Sequence, residues 1–429
     1  MTLPRLPLLL TGMLCALALG LFAGAAAAVE DTIVVETEHY RIHFGGPRAE
    51  AEEAGRVLEA AWPHFRAHFG TEPRLRKKAD GSVEKLVVRF SPDQRNWARG
   101  IRRDGTWPPR SAGGYYWPPT RTAHLYRQPT EYFTRTLLIH EAAHQFHYLA
   151  RTRNKAPAAK WYTEGVAEFL SWHQWDGETL TLGVVPGVSL KDHPAVALTE
   201  MQARDFDIKA VVGGKVEPSR PVAWALYAYL ATGDEGKPLK GFDTFRDKLD
   251  RGARPGSVVA SLFGSAKTLQ NDVLAWLKDH QSPWTQGFNE WEQTGPDSFR
   301  GHAGVVTVCR RKKRTTTIGA TLHVPQRGRW RGGLLLHWTD ARDYTVAMLD
   351  RWGGVQVNRR RNGRWQRLHW SRIRRDRSAR AHDLVAVREG PSVSLWIDSR
   401  EVGAWPLPRG PMGLAVESSD LRFSGVDAR

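Results

Sequence analysis

The chain has 429 residues, a formal net charge of +17 and only two cysteines. This length allows two domains with sizeable hydrophobic cores, and the cysteine count excludes a small domain stabilised by several disulfides. The charge is uneven, since residues 301–429 contain 25 Lys plus Arg against 11 Asp plus Glu, so a nearly neutral front part precedes a basic C-terminal part.

Residues 1–28 have the pattern of a secretory signal peptide. Arg5 supplies a positive charge, residues 6–22 are mostly apolar, and Ala26-Ala27-Ala28 offers an A-x-A cleavage site. Cleavage would leave Cys309 alone, so no intramolecular disulfide could form. No later run reaches the ~18 apolar residues of a membrane span. We expect a secreted or periplasmic protein of the bacterial envelope without a transmembrane segment; an uncleaved N-terminal anchor is the alternative.

The next elements alternate between strands and helices. Residues 31–44 alternate as a strand does, residues 47–69 place apolar side chains on one helix face, and 85–90 is a short apolar run. The aromatic stretch 113–120 precedes a strand at 122–126. This order predicts an α+β subdomain, in which the aromatic stretch is either a hydrophobic subsite or a packed loop.

A predicted helix at 131–150 carries an H-E-x-x-H motif. Thr130 is a suitable N-cap, and no Pro or Gly interrupts the helix. His140 and His144 lie one turn apart on the same face, with side chains about 5–6 Å from each other, so both imidazoles can reach one metal ion. Glu141 lies about 100° further round the helix, beside a metal rather than on it, where it can accept a proton from water.

Two glutamates follow the motif at a helical spacing. Glu164 comes after 19 intervening residues, and Glu168 lies four residues later on the same helix face. Two buried carboxylates are costly unless a positive group lies between them. A zinc ion would satisfy both, with Glu164 completing a His2Glu ligand set and Glu168 accepting the ring N–H of a ligating histidine. Three protein ligands leave a fourth position for water, as in catalytic zinc sites.

The combined pattern resembles the gluzincin zinc metallopeptidases and is most similar to the peptidase MA-like group. The resemblance covers roughly residues 30–285. It implies Zn²⁺ as the cofactor, a peptide or protein as the substrate, and His140, His144 and Glu164 as ligands. It also implies Glu141 as general base and Glu168 as a support for the ligands. The stretch 113–120 lacks the acidic residue with which aminopeptidases of this superfamily capture the substrate's amino terminus, so an aminopeptidase is not supported.

A metallopeptidase also needs a donor for the oxyanion that forms during hydrolysis. In similar proteins, a Tyr often precedes a Trp-containing helix by about a turn. The matching position before Trp224 is occupied by Arg220. Arg220 either stabilises an oxyanion by its charge or lies in solvent. Tyr227 and Tyr229 are alternative oxyanion or substrate contacts, with core packing as their competing role.

Helices are predicted at 222–230, 242–249 and 269–278, and residues 286–300 are interpreted as a linker because they contain Pro and Gly without clear periodicity. Beyond them the pattern changes to period 2, with turns such as Asn362-Gly363. The predicted strands are 315–324, 333–338, 344–350, 354–358, 364–369, 383–388, 392–397, 413–417 and 421–426. Many short strands without a helix indicate a β-sandwich.

The last two predicted strands resemble the end of a concanavalin- or laminin-G-like jelly roll. The expected fold class is therefore an α+β zincin-like metallopeptidase domain followed by an all-β jelly-roll sandwich domain. The expected organisation is a signal peptide at 1–28, a gluzincin-like domain at 29–285, a linker at 286–300 and a basic sandwich at 301–429.

Arginine clusters and tryptophans are interleaved in the basic part. Together they suit an acidic glycan or another anionic surface as ligand of residues 301–429. The competing interpretation is that several tryptophans are core residues and the arginines form a solvated face. Nucleic acid is the least favoured ligand, because the signal peptide exports the protein.

These observations lead to a main hypothesis and two alternatives. The main hypothesis is a secreted zinc metallopeptidase that hydrolyses peptide bonds by a zinc-activated water, with Glu141 as general base. One alternative is a cell-envelope glycan- or polyanion-binding protein with a non-catalytic zinc-binding domain. The other is a zinc hydrolase acting on a non-peptide amide.

Overall fold

The computed structural model describes residues 32–109, 112–157, 159–185, 188, 192–286, 291–302, 306–374 and 378–429. The predicted signal peptide and its cleavage site lie outside these ranges. Within them, no helix combines the length and the apolar character that crossing a membrane requires.

A five-stranded sheet with two helices opens the fold. Its elements are β1 (Ile33–Glu36), β2 (Tyr40–Phe44), α1 (Arg48–Phe69), β3 (Leu86–Ser91), α2 (Gln94–Arg103), β4 (Gly114–Trp117) and β5 (Thr122–Tyr126). The strand order is β1-β2-β3-β5-β4, in which β2, β3 and β5 are parallel and the two edge strands are antiparallel to their neighbours. Buried and partly exposed residues alternate along β2 and β3, which is why these strands can be found from the sequence.

The single strand predicted at 31–44 is instead an antiparallel pair, β1 and β2. A turn separates them, because the Tyr40 N–H donates to Thr37 Oγ1 over 3.1 Å and the Thr37 N–H donates to the Tyr40 carbonyl over 2.9 Å. The polar residues of this turn continue the alternation of polar and apolar residues, so the pattern does not reveal that the chain reverses direction.

The next region is mostly helical. It contains α3 (Glu131–Ala150), α4 (Lys160–Ser171), β6 (His173–Trp175), β7 (Leu180–Leu182), α5 (His193–Gln202), α6 (Ile208–Val212), α7 (Arg220–Thr232), α8 (Phe242–Asp250), α9 (Pro255–Phe263) and α10 (Ala266–Asp279). The predicted helix at 131–150 is confirmed, and the Thr130 hydroxyl accepts the Phe133 N–H at its start. The second half of α3 is buried on all sides, so it forms a rigid base for the side chains that it carries.

Helices α4 and α7 approach each other closely at Gly165. A Cβ atom at this position would lie 2.5 Å from the Ala223 carbonyl oxygen and 2.8 Å from Tyr227 Cβ. Only glycine therefore fits without a shift of one helix. The close contact places the glutamates of α4 beside the N-terminus of α7, where Arg220 lies.

The C-terminal part, called the sandwich below, consists of two seven-stranded sheets. Its strands are β8 (Trp284–Gln286), β9 (Trp291–Gly295), β10 (Ser298–Gly301), β11 (Thr307–Arg311), β12 (Thr317–His323), β13 (Arg331–Asp340), β14 (Asp343–Asp350), β15 (Gly354–Arg361), β16 (Arg364–Arg372), β17 (Ala381–Glu389), β18 (Ser392–Ile397), β19 (Arg400–Pro406), β20 (Gly413–Ser418) and β21 (Leu421–Ala428). The sheet orders are β19-β18-β17-β12-β21-β10-β9 and β16-β15-β14-β13-β20-β11-β8. An apolar core fills the space between the two sheets.

The interpretation of residues 286–300 as a linker is wrong for the described part of that segment. Strands β9 and β10 pair with each other and β10 pairs with β21, so the segment forms the edge of one sheet. Trp291 and Phe299 belong to the buried core of the sandwich. The periodicity is lost because β9 is covered on both faces, which removes the alternation between apolar and polar residues.

The sandwich packs against the N-terminal part through buried charges. Arg135 on α3 forms an ion pair with Glu292 on β9, and their side chains are 8% and 0% exposed. A second ion pair, which is partly exposed, joins Lys312 Nζ and Asp192 Oδ2 over 2.5 Å. Because breaking a buried pair leaves an uncompensated charge, the two parts are docked rather than loosely joined.

We expect Gly165→Ala to lower the free energy of unfolding by about 1–3 kcal/mol, because the added methyl group overpacks the contact between α4 and α7. Urea denaturation of the full chain measures the effect. Gly100→Ala on α2 is the matched control, since its Cβ would meet only His124 Nδ1 at 4.0 Å. That change should be neutral or stabilise by up to about 1 kcal/mol. Equal stability of the Gly165→Ala variant and the unchanged protein would contradict the close packing.

Candidate metal centre

Three side chains from two helices converge on one point. The His140 and His144 Nε2 atoms on α3 are 3.1 Å apart, and Glu164 Oε2 on α4 lies 3.4 and 3.7 Å from them. A zinc ion bound at about 2.0–2.1 Å by tetrahedral ligands has ligand atoms about 3.3–3.4 Å apart. The observed separations therefore suit one ion shared by the three residues.

The chemistry of the donors also fits zinc. Two imidazoles and one carboxylate form a ligand set that zinc prefers. The Glu164 Oε2 atom is buried and lies 2.6 Å from Arg220 Nη1, without good hydrogen-bond alignment. Burial opposes ionisation of Glu164, but the neighbouring His144, His140 and Arg220 outweigh it, so the pKa of Glu164 lies well below its ordinary value. An ionised carboxylate between two imidazoles is ready to accept a metal cation.

Glu141 lies next to these donors without joining them. Its side chain is buried and lines the same cleft as His140. Burial raises the pKa of Glu141, and the nearby histidines and Arg220 offset this effect only in part. Gly114 on β4 presses against it, because a Cβ there would lie 2.6 Å from both Glu141 Cγ and Oε1. Because Gly114 has no side chain, the Glu141 carboxyl group can occupy this space.

Glu168 lies behind the three donors. Its Oε1 atom is 3.6 Å from His140 Nδ1, the ring nitrogen that faces away from Glu164, and its Oε2 atom is 3.5 Å from His193 Nε2. Burial works to raise the pKa of Glu168, but hydrogen bonding to His193 and the charges of His140 and Arg220 outweigh it and lower the pKa to about 2. An ionised carboxylate here can orient His140.

Arg220 lies in the cleft rather than in solvent away from it. Its Nη1 atom is 2.7 Å from His140 Nε2, 2.6 Å from Glu164 Oε2 and 3.1 Å from Glu168 Oε1. The Ser219 side chain caps α7 and fixes the start of the helix that carries it. A permanent cation is thus placed beside the candidate metal ligands.

The structure does not bring Tyr227 and Tyr229 into the site, which corrects their interpretation as oxyanion or substrate contacts. Tyr227 is completely buried and its hydroxyl is 2.7 Å from His68 Nε2. Tyr229 packs its ring against Trp276, with centroids 6.3 Å apart. Neither residue is among the described residues that line the cleft. They lie about two turns or more along α7 from Arg220, which is at the helix end that lines the cleft.

The cleft has a volume of about 500 Å³. Its walls include several aromatic side chains that the sequence did not single out: Tyr126, Tyr132, Phe133 and Trp172. His193 was also missed, although it lines the cleft and contacts Glu168. Its local signal, Asp192 as N-cap followed by Pro194, predicts a helix start but not its position in space.

No family model and no curated protein matches this chain. Among solved structures, the chain is similar to the carbohydrate-binding module CBM66 from Bacillus subtilis, with 18% sequence identity, a TM-score of 0.30, and coverage of 34% of this chain and 93% of the module. A β-glucanase from Bacillus licheniformis has 10% identity, a TM-score of 0.25, and coverage of 34% and 91%. Sheep galectin-11 has 13% identity, a TM-score of 0.24, and coverage of 30% and 98%. These values are too low to support an inference about function.

We expect the purified chain to bind about one zinc ion, and Glu164→Ala to lose it or to bind it much more weakly, because the variant keeps only two of the three donors. Elemental analysis after dialysis against trace zinc measures the content. Glu178→Ala, an exposed glutamate outside the cleft, is the control and should keep the metal. Equal zinc content in the Glu164→Ala variant and the unchanged protein would rule out this ligand set.

Proposed function

We propose that the chain is a zinc-dependent hydrolase that cleaves peptide bonds. The observation that carries the proposal is the convergence of His140, His144 and Glu164, with the buried carboxyl group of Glu141 beside them. The same arrangement gives a metal site three protein ligands and a nearby group that can accept a proton.

Glu141 would act as general base and then as general acid. A zinc ion held by the three donors would supply Lewis acidity, which acidifies water and polarises a carbonyl oxygen. Glu141 accepts the proton of the attacking water on its buried carboxylate. It then passes that proton to the nitrogen of the leaving amine. Burial raises the pKa of Glu141, which makes its carboxylate a stronger base toward water.

Arg220 is the candidate partner for negative charge that develops on the substrate oxygen. Its guanidinium lies in the cleft, and about half of its side chain is exposed, so a substrate can reach it. A cation fixed in a partly buried site stabilises a developing oxyanion more than one in water does. Arg220 thus has the role of oxyanion donor, for which Tyr227 and Tyr229 were the alternatives in the sequence analysis.

The edge strand β4 supports a peptide as the substrate. In the described sheet, β4 pairs with β5 on one side only, and Gly113 and Gly114 at its start line the cleft. An extended peptide can pair with the free edge of a strand through main-chain hydrogen bonds. Such pairing would place a peptide carbonyl near Glu141, which Gly114 contacts.

We expect Glu141→Gln to lower peptide hydrolysis by at least about 100-fold while zinc stays bound, because the amide cannot take up the proton. Cleavage of a quenched fluorescent peptide library and the zinc content are measured on the same samples. Glu131→Gln is the matched control, since Glu131 lies on the same helix but its side chain is 74% exposed. A Glu141→Gln variant with full hydrolytic activity would contradict the mechanism.

Glycan binding by the sandwich is the second candidate function. Of the tryptophans interleaved with arginines, Trp330 and Trp338 are buried, but Trp352, Trp365 and Trp370 are exposed. Exposed aromatic groups on a basic surface suit a ligand with apolar faces and negative charge. A carbohydrate-binding module and a galectin are among the structures named above, but the proposal rests on the surface of this sandwich.

We expect the full chain to be retarded in gels that contain polygalacturonate, and the retardation to weaken as salt is raised, because arginine–carboxylate attraction is screened. Glu164→Ala should be retarded equally, since the metal donors lie in the other part of the chain. A mobility that is the same with and without polygalacturonate, at about 50 mM salt where screening is weak, would exclude this second function.

A further inference from the structure

The hairpin of β15 and β16 forms an exposed edge of the sandwich. On one side β15 pairs with β14, whereas β16 is the last strand of its sheet. Val355 and Val357 of β15 point into the core between the sheets, so the intervening residues face outward. Three cross-strand pairs lie on this outer face: Gln356 with Trp370, Asn358 with Arg367, and Arg360 with Trp365. Residues directly opposite each other in an antiparallel pair share a face.

The two tryptophans of this face are presented to solvent. Trp365 and Trp370 are 48% and 54% exposed, and Arg367 lies between them along β16. The Tyr344 ring packs edge to face against the indole of Trp365, with ring centroids 5.4 Å apart. The guanidinium of Arg360 lies 6.0 Å from the same indole. Large aromatic groups that are exposed but fixed by neighbours are suited to contact a ligand.

A groove of about 550 Å³ runs beside Trp365 and Arg367 across the outer face of the sheet. This volume is within the range of roughly 300–1,000 Å³ that is usual for ligand sites. Its floor is apolar and includes Val346 and Met348, and its polar groups are Gln356, Asn358, Arg367 and the ion pair of Arg331 with Glu417, whose atoms are 2.8 Å apart. The groove therefore offers apolar contact, amide donors and acceptors, and charges of both signs.

We propose that this face binds an anionic polysaccharide built of uronate sugars. The apolar faces of sugar rings can stack on the two indoles, and the carboxylates can pair with the guanidinium groups of Arg367 and Arg360. Sugar hydroxyls can donate to Glu417 and exchange hydrogen bonds with the two amides. A nucleic acid fits less well, because its phosphodiester backbone has no donors for the Glu417 carboxylate.

The inference rests on the second function proposed above and names its site and its ligand class. Polygalacturonate is the probe, and its affinity for the full chain is measured by titration calorimetry at two salt concentrations. We expect the double variant Trp365→Ala/Trp370→Ala and, separately, Arg367→Gln to weaken binding at least 10-fold. Arg367→Gln removes one charge without touching the packing, so it keeps the test valid if the double variant folds poorly.

Two exposed residues of the same hairpin region provide matched controls. Trp352 lies in the turn between β14 and β15 and is 55% exposed, and Arg361 follows Arg360 and therefore points to the opposite face. Trp352→Ala and Arg361→Gln should bind polygalacturonate as the unchanged protein does. This result, together with the losses at Trp365, Trp370 and Arg367, would assign binding to the groove.

Other outcomes would overturn the inference in distinguishable ways. Full affinity in both groove variants would place the ligand elsewhere and leave glycan binding by the sandwich intact. Equal affinity for neutral dextran would exclude the anionic class, and tighter binding of oligo-dT would exclude a polysaccharide. A chain that binds none of these polymers would remove the second function itself.

Discussion

The N-terminal part is organised around buried negative charge. Glu141, Glu164 and Glu168 lie within one small region, and the carboxylates are compensated by two imidazoles and by Arg220. Three elements must hold their positions for this balance to persist: α3 carries the histidines, α4 two of the glutamates, and α7 the arginine. The absence of a side chain at Gly165 lets α4 and α7 meet, and the Thr130 cap fixes the start of α3. A bound cation would complete the compensation, since an ionised carboxylate away from water is stable only beside positive charge.

Local spacing explains how much of the site could be predicted. The two histidines are four residues apart in one helix, so their common face follows from helix geometry alone. Glu164 and Glu168 share a face for the same reason. If both carboxylates are buried, one positive group between them is the simplest interpretation. Arg220 and His193 depend instead on how α7 packs against α4 and α5 against α7, and no local pattern encodes that packing. The same limit left two roles open for Tyr227 and Tyr229, because their distance from Trp224 in sequence gives no direction in space.

In the sandwich, periodicity likewise predicted some of the strands but not others. Strands such as β12 and β18 alternate between core and surface, and the sequence locates them to within about two residues, which is the usual uncertainty of strand ends. Strand β9 is covered on both faces and β19 is largely exposed, so neither alternates and both escaped prediction. The basic character of this part was visible from composition. That Trp365 and Trp370 share a face was not, because it depends on the register shift opposite Val357 and Asn358.

The ion pair of Arg135 and Glu292 has a consequence for how the two parts can work together. Arg135 is on the same helix as His140, five residues away, and Glu292 belongs to an edge strand of the sandwich. A module on a flexible tether searches the volume around its anchor, whereas a docked module keeps a constant distance and angle. If the sandwich binds a polymer, the cleft can therefore contact only groups that lie at one fixed distance from the bound segment. The geometry of docking, rather than sequence preference in the cleft, would then decide which groups enter the cleft.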